Sequence, residues 1–93
     1  MKTIYKYVLS TVQRSVSIPD KAKILSCQAQ GFDICLWCEV DADEPIVLRY
    51  FEVIGTGWDL SEYSDALNFL ATVQLPNGLV YHVFEELQKV GIK

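Results

Sequence analysis

The stretch Ala22-Lys23-Ile24-Leu25-Ser26-Cys27-Gln28-Ala29-Gln30-Gly31-Phe32-Asp33-Ile34-Cys35-Leu36-Trp37-Cys38-Glu39-Val40 decides the fold. Both halves alternate apolar and polar residues, the period of a β-strand with one buried face. Gly31-Phe32 reads as a two-residue loop with glycine first, the order a type II′ turn prefers. That loop sets Gln30 opposite Asp33, Gln28 opposite Cys35 and Cys27 opposite Leu36. One face then carries Leu25, Cys27, Ala29, Ile34, Leu36, Cys38 and Val40, apolar throughout and expected in the core. The other carries Ile24, Ser26, Gln28, Gln30, Asp33, Cys35, Trp37 and Glu39. A slip of one residue in register would exchange the two faces.

The same reading extends outward along the chain. Thr3 to Leu9, Arg14 to Ile18, Ile46 to Ile54, Leu67 to Leu75 and Leu79 to Leu87 are further runs of β-formers. Pro19-Asp20, Gly55-Thr56-Gly57 and Pro76-Asn77-Gly78 punctuate them. Short strands with turn signals at regular intervals predict a mainly β fold, a small antiparallel sandwich or barrel of six to seven strands. Asp59 with Glu62 three residues on resembles a capping box, so Ser61 to Asn68 is expected to form a turn or two of helix. Glu85 to Val90 reads equally as strand or helix. Ninety-three residues fit one domain, 1–93, with no internal repeat or linker.

Composition narrows the function classes. Hydrophobic residues make up 51% and charged ones 22%, which opposes disorder. No apolar run approaches the roughly 20 residues of a membrane span, and the first residues alternate instead of forming a signal-peptide core. A soluble, cytoplasmic protein is expected. The net charge of −4 opposes direct nucleic-acid binding, which needs clustered Lys and Arg. The charge is unevenly spread. Residues 1–23 carry a net +4, while residues 33–65 carry nine acids against Arg49, a net −8. Such a segment is either a solvated face or an acidic surface that meets a basic partner.

Three cysteines, an odd number, make a poor disulfide framework and suit a reducing compartment. Cys35-Leu-Trp-Cys38 has C-x-x-C spacing, which can signal redox or zinc chemistry. Strand residues three apart point to opposite faces, however, and no second C-x-x-C accompanies the pair. No metal and no cofactor is expected.

Two places could hold a ligand. Trp37 is a large aromatic among polar neighbours, which suits either a covering layer or a stacking platform. In Gly55-Thr56-Gly57-Trp58-Asp59 two glycines let the backbone approach a ligand, Thr56 adds a hydroxyl and Trp58 a ring. Successive backbone N–H groups there could cradle an anion, although the P-loop spacing is missing. Arg49 is a base available to offset a phosphate. Catalysis finds little support: His82 shares an apolar face with Val80 and Phe84, and G-x-S-x-G is absent. Asp41, Asp43 and Glu44 lack the full calcium-loop pattern and read as a polar hairpin turn.

Ile4-Tyr5-Lys6-Tyr7, Ala22-Lys23-Ile24-Leu25-Ser26, Ile34-Cys35-Leu36-Trp37, Gly55-Thr56-Gly57, Thr72-Val73-Gln74-Leu75 and Tyr81-His82-Val83-Phe84-Glu85 carry a resemblance. Taken in order, these blocks resemble a family of short phage and prophage proteins with a domain of unknown function, DUF7352. Where that family often has Ala-Leu after the tryptophan, this chain has Cys38-Glu39, which makes the C-x-x-C incidental. The resemblance supplies no catalytic residues. It implies a phage context, where small accessory proteins often counter host defence inside the host cell. Two expectations follow. The first is a non-enzymatic protein that sequesters a nucleotide-like immune signal through Trp37, Gly55, Thr56, Gly57, Trp58 and Arg49, with a homo-oligomer forming the site. The second is an inhibitor such as an anti-CRISPR that binds a host defence protein through Asp41, Asp43 and Glu44.

Overall fold

The computed structural model describes residues 1–63 and 66–87. Seven strands are present: β1 Lys2–Leu9, β2 Ser15–Pro19, β3 Lys23–Gln30, β4 Asp33–Asp41, β5 Ile46–Gly55, β6 Leu67–Gln74 and β7 Val80–Glu86. They form two antiparallel sheets, one ordered β1-β4-β3 and one ordered β2-β5-β7-β6. The sheets pack as an open sandwich and do not close into a barrel. Of the helix expected over Ser61 to Asn68, Ser64 and Asp65 lie outside the described residues; among those described there is one 3-10 turn, Leu60–Glu62, capped by the Asp59 side chain, which accepts from the Ser61 N–H. Leu67 and Asn68 belong to β6 instead. Glu85 and Glu86 are strand, and Gln88 to Val90 lie outside the described residues.

The β3–β4 hairpin has the register that its turn dictates. Gln30 faces Asp33, Gln28 faces Cys35 and Cys27 faces Leu36. Gly31 has φ +61°, the left-handed conformation a II′ turn needs at its first position. Ile34 and Leu36 are buried and Cys27 packs against the core. Leu25 departs from expectation. A bulge between Ile24 and Ser26 inserts an extra residue in β3, so the alternation changes phase there. Ile24 turns in to the core and Leu25 is left 45% exposed.

One hydrophobic core lies between the sheets. Leu36, Cys38 and Val40 of β4 meet Phe51 and Val53 of β5, Val83 of β7 and Ile18 of β2. Cys38 belongs to this core, whereas Cys35, fully buried, sits on the opposite face of β4 beside Trp37. The two thiols therefore point apart, and all three cysteines are free. Burial pushes the Cys38 thiol pKa up, partly offset by Arg49, and pushes the Cys27 thiol up to about 11.

The topology also undoes the charge segregation seen along the sequence. Basic β1 pairs with acidic β4, and β2 pairs with β5. Arg14, just before β2, bridges Glu52 at 2.8 Å and Glu86 at 2.7 Å on the outer face of the larger sheet. Lys23 stands opposite Glu39. Consequently the net −8 segment is interleaved with its opposite charge.

Candidate functional site

β5 ends at Gly55, which stands opposite Tyr81 on β7. The next three residues turn the chain back tightly, with the Trp58 N–H donating to the Gly55 carbonyl at 3.1 Å. Gly57 makes this possible with φ +90°, a conformation that a side chain resists. Gly55 serves differently. Its φ is unexceptional, but a Cβ there would lie 2.6 Å from the Trp58 ring atoms Cε2 and Nε1. The indole thus rests directly on the glycine backbone. The ring also meets Tyr81 edge-on, at 6.1 Å between centroids and 85° between planes.

Trp58 keeps 46% of its surface exposed and lines two hollows. The larger, about 300 Å³, is lined by Gly55, Thr56, Trp58, Gly78, Leu79, Val80 and Tyr81. The smaller, about 160 Å³, adds Ile54, Leu60, His82 and Phe84 from the outer face of the sheet. Among the described residues no charged side chain lines the larger one.

His82 is held from both sides. Its Nε2 is 2.8 Å from the Thr56 hydroxyl and its Nδ1 is 3.0 Å from that of Thr72. The Thr56 hydroxyl donates to the Val80 carbonyl at 3.2 Å, so it accepts from Nε2–H. Nδ1 then accepts from Thr72. This assignment gives both ring nitrogens a hydrogen-bond partner. It also ties the Thr56 end of the turn to β7 and β6.

Two of the N–H groups that could cradle an anion at this turn are already engaged. The Thr56 N–H donates to Val80 O at 3.2 Å and the Trp58 N–H to Gly55 O, so both are engaged within the fold. Gly55, Thr56, Gly57 and Trp58 do come together as one wall of the cleft. Arg49 and Trp37 do not join them. Arg49 points into the sandwich, donating to both Glu85 oxygens at 2.6 and 2.8 Å and to the Ala22 carbonyl at 2.6 Å. The Glu85 hydrogen bonds hold its pKa above the ordinary guanidinium value, and none of its charge is aimed at the cleft. Trp37 is half-buried on the outer face of the other sheet, between Lys6 and Ser26. Its polar neighbours bond among themselves, Lys6 to Gln30 and Gln28 to Ser26, each at 2.7 Å. The shallow hollow on that face is lined by Lys2, Thr3, Ile4 and Glu39, and not by Trp37.

Asp41, Asp43 and Glu44 do cluster in the β4–β5 connection. Asp41 Oδ1 accepts from the Asp43 N–H at 3.0 Å, the largest cause of its lowered pKa. The Met1 ammonium adds to this from 3.1 Å and lies 2.8 Å from Asp43, while Lys21 approaches Glu44 at 3.9 Å. Among the described residues no group of three or more His, Cys, Asp or Glu is placed to hold a metal. Among them too, no helix is long and apolar enough to cross a membrane.

A family described as a domain of unknown function, DUF7352, matches residues 1–91, nearly the whole chain. The chain belongs to the DUF7352 family. No curated protein and no solved structure matches it. Membership brings no assigned catalytic or binding residue, so the DUF7352 site rests on its own geometry. Tyr81 and Thr72 are the site residues that sequence reasoning missed. The pairing of β7 between β5 and β6 brings them in, and alternation within a strand carries no sign of that pairing.

Proposed function

We propose that this DUF7352 chain is a small non-enzymatic binding protein that takes a planar, nucleotide-like ring in the Trp58–Tyr81 cleft. The observation that carries this reading is the half-exposed indole of Trp58, fixed against Gly55 and Tyr81 on a cleft of about 300 Å³. A ring held rigid before binding loses little freedom on stacking, and its flat face suits a flat ligand. The neutral lining implies recognition through the base, with phosphates left in solvent. A role in countering host defence, in the host cytoplasm, rests on the family resemblance. Sequestering a nucleotide signal is the form of that role which the cleft supports.

The acidic-inhibitor reading loses support from the interleaving of basic β1 with acidic β4 and from the Met1 and Lys21 contacts to Asp41, Asp43 and Glu44. Fluorescence titration with adenosine and with AMP tests the proposal. Saturable quenching of Trp58, similar for both ligands and little changed by salt, is expected. Absence of quenching at millimolar nucleoside, together with salt-sensitive capture of a basic host protein, would replace this reading with the acidic one.

A further inference from the structure

In an antiparallel sheet with one solvated face, inward apolar residues alternate with outward polar ones. β5 breaks that rule. Val47, Phe51 and Val53 supply the core, while Ile46, Leu48, Tyr50 and the already covered Ile54 hold four of the five outward positions, with Glu52 the fifth. A strand apolar on both sides is the pattern of a strand covered on both sides. Its neighbours extend the patch, with Phe69 of β6 against Phe84 of β7 edge-on at 5.5 Å. Ile46 is 62% exposed, Leu48 50% and Phe69 55%, so the cover is incomplete within one chain.

The charges on this face are already matched. Arg14 lies between Glu52 and Glu86, so among the described residues one guanidinium is shared by two carboxylates and each acid has an ion-pair partner. A surface that is apolar at its ends and has its acids ion-paired at its middle suits an apolar surface of the same kind. Two-fold symmetry supplies one, because a second copy presents the identical patch in the reverse direction. The Ile46–Leu48 end of one chain would then meet the Phe69–Phe84 end of the other. Ser15 and Ser17 on β2, small residues beside Tyr50 and Leu48, leave a low strip for the projecting phenylalanine. Size is adequate. Four strands about 4.8 Å apart and roughly 25 Å long give a flat footprint of roughly 500 Å². Counted on both copies this is roughly 1,000 Å², the lower bound for a specific interface.

We infer that the outer face of the β2-β5-β7-β6 sheet is a homodimer interface, two copies stacking face to face across a two-fold axis. The inference is independent of the ligand reading. Sedimentation or light scattering of the full chain, from about 1 to 100 μM, tests it. A dimer of twice the 10.6 kDa chain mass is expected. L48E and F69E should each give a monomer with an unchanged β-sheet circular dichroism spectrum. I4E, on the outer face of the other sheet, should leave the dimer intact. Ser17→Lys, at an exposed position of the low strip, weakens the dimer without touching the core, and so serves if the first two variants misfold. A wild-type monomer throughout the range, or a dimer dissociated by I4E and not by L48E, F69E or S17K, would overturn the inference.

Discussion

Trp37 stands in the middle of β4 with a strand on either side, whereas Trp58 stands on a tight turn at the end of β5. The first is hemmed in by a ladder and by side chains that hydrogen-bond to one another. The second rests on bare backbone at Gly55, touches Tyr81 edge-on, and borders open space on two sides. Both read as stacking residues from their immediate neighbours in sequence. What separates them is the residue beneath the ring. A glycine lets an indole lie flat against the chain and leaves a cleft beside it, while a central strand offers only a row of neighbouring side chains.

The largest expected effect tests that separation directly. Trp58→Ala should weaken nucleoside binding roughly 5- to 150-fold, since base–aromatic stacking is worth about 1–3 kcal/mol. Trp37→Ala should leave the same dissociation constant within about twofold. Isothermal titration of both variants with adenosine checks this. Equal losses in the two would erase the distinction between the tryptophans.

Gly55→Ala sharpens the comparison without removing either ring. The backbone conformation accepts alanine, so the conflict is steric, a methyl at 2.6 Å from the indole. Trp58 must swing away, and overpacking of this kind costs about 1–3 kcal/mol. The low end is expected, because a ring on an exposed turn can move. A red-shifted Trp58 emission and loss of ligand quenching should accompany a small drop in chemical-denaturation midpoint.

The sequence made much of this fold legible and little of the site. The β3–β4 register was readable because Gly31 fixes the turn and the turn fixes every pair after it. Leu25 was misplaced because a bulge leaves no mark in an apolar pair such as Ile24-Leu25. Asp59 reads as a cap, and among the described residues the helix after it is a 3-10 turn of three residues. Arg49 read as a free base because Glu85, its partner, is 36 residues away along the chain. The same holds for Gly55 and Tyr81, brought opposite each other only because β7 inserts between β5 and β6. Local pattern specifies strands and adjacent hairpins, while pairing between distant strands depends on burial summed over the whole core.

The thiols probe what Trp37 does instead of binding. Cys35 is fully buried on the outer face of β4, with Val8 and Gln28 alongside and Trp37 two residues on. Trp37→Ala should open Cys35 to a disulfide reagent at pH 8, while Trp58→Ala should not. In the parent chain all three thiols should react slowly, Cys35 and Cys38 through burial and Cys27 because its pKa is raised to about 11. A raised thiol pKa also sets a sign for stability. The Cys27 contribution is complete below the ordinary thiol value of 9.0 and is lost as pH rises from there through about 11. Denaturation midpoints between pH 8 and 11 should therefore fall less in Cys27→Ala than in the parent.

The smallest effect concerns the residue after Trp58. Asp59 accepts from the Ser61 N–H at 2.9 Å, and its pKa is lowered chiefly by that bond, then by the Ser61 side chain. Lowering means that the folded state prefers the ionised carboxylate. The cap is thus fully effective above the unfolded carboxyl value of 3.8 and fades as pH falls below it. Because the carboxylate is exposed, its loss should loosen the Leu60–Glu62 turn locally and leave the two sheets intact. Carbon-13 titration of the Asp59 carboxyl should give a midpoint below 3.8, with Trp58 emission shifting over the same interval. Asp59→Asn keeps an oxygen acceptor at the cap without the titrating charge, so its Trp58 emission should stay constant there. Trp37 has no such cap near it. If the acid-induced shift in emission persisted in Trp58→Phe, it would have to come from Trp37, and the turn would not be the pH-sensitive part of the molecule.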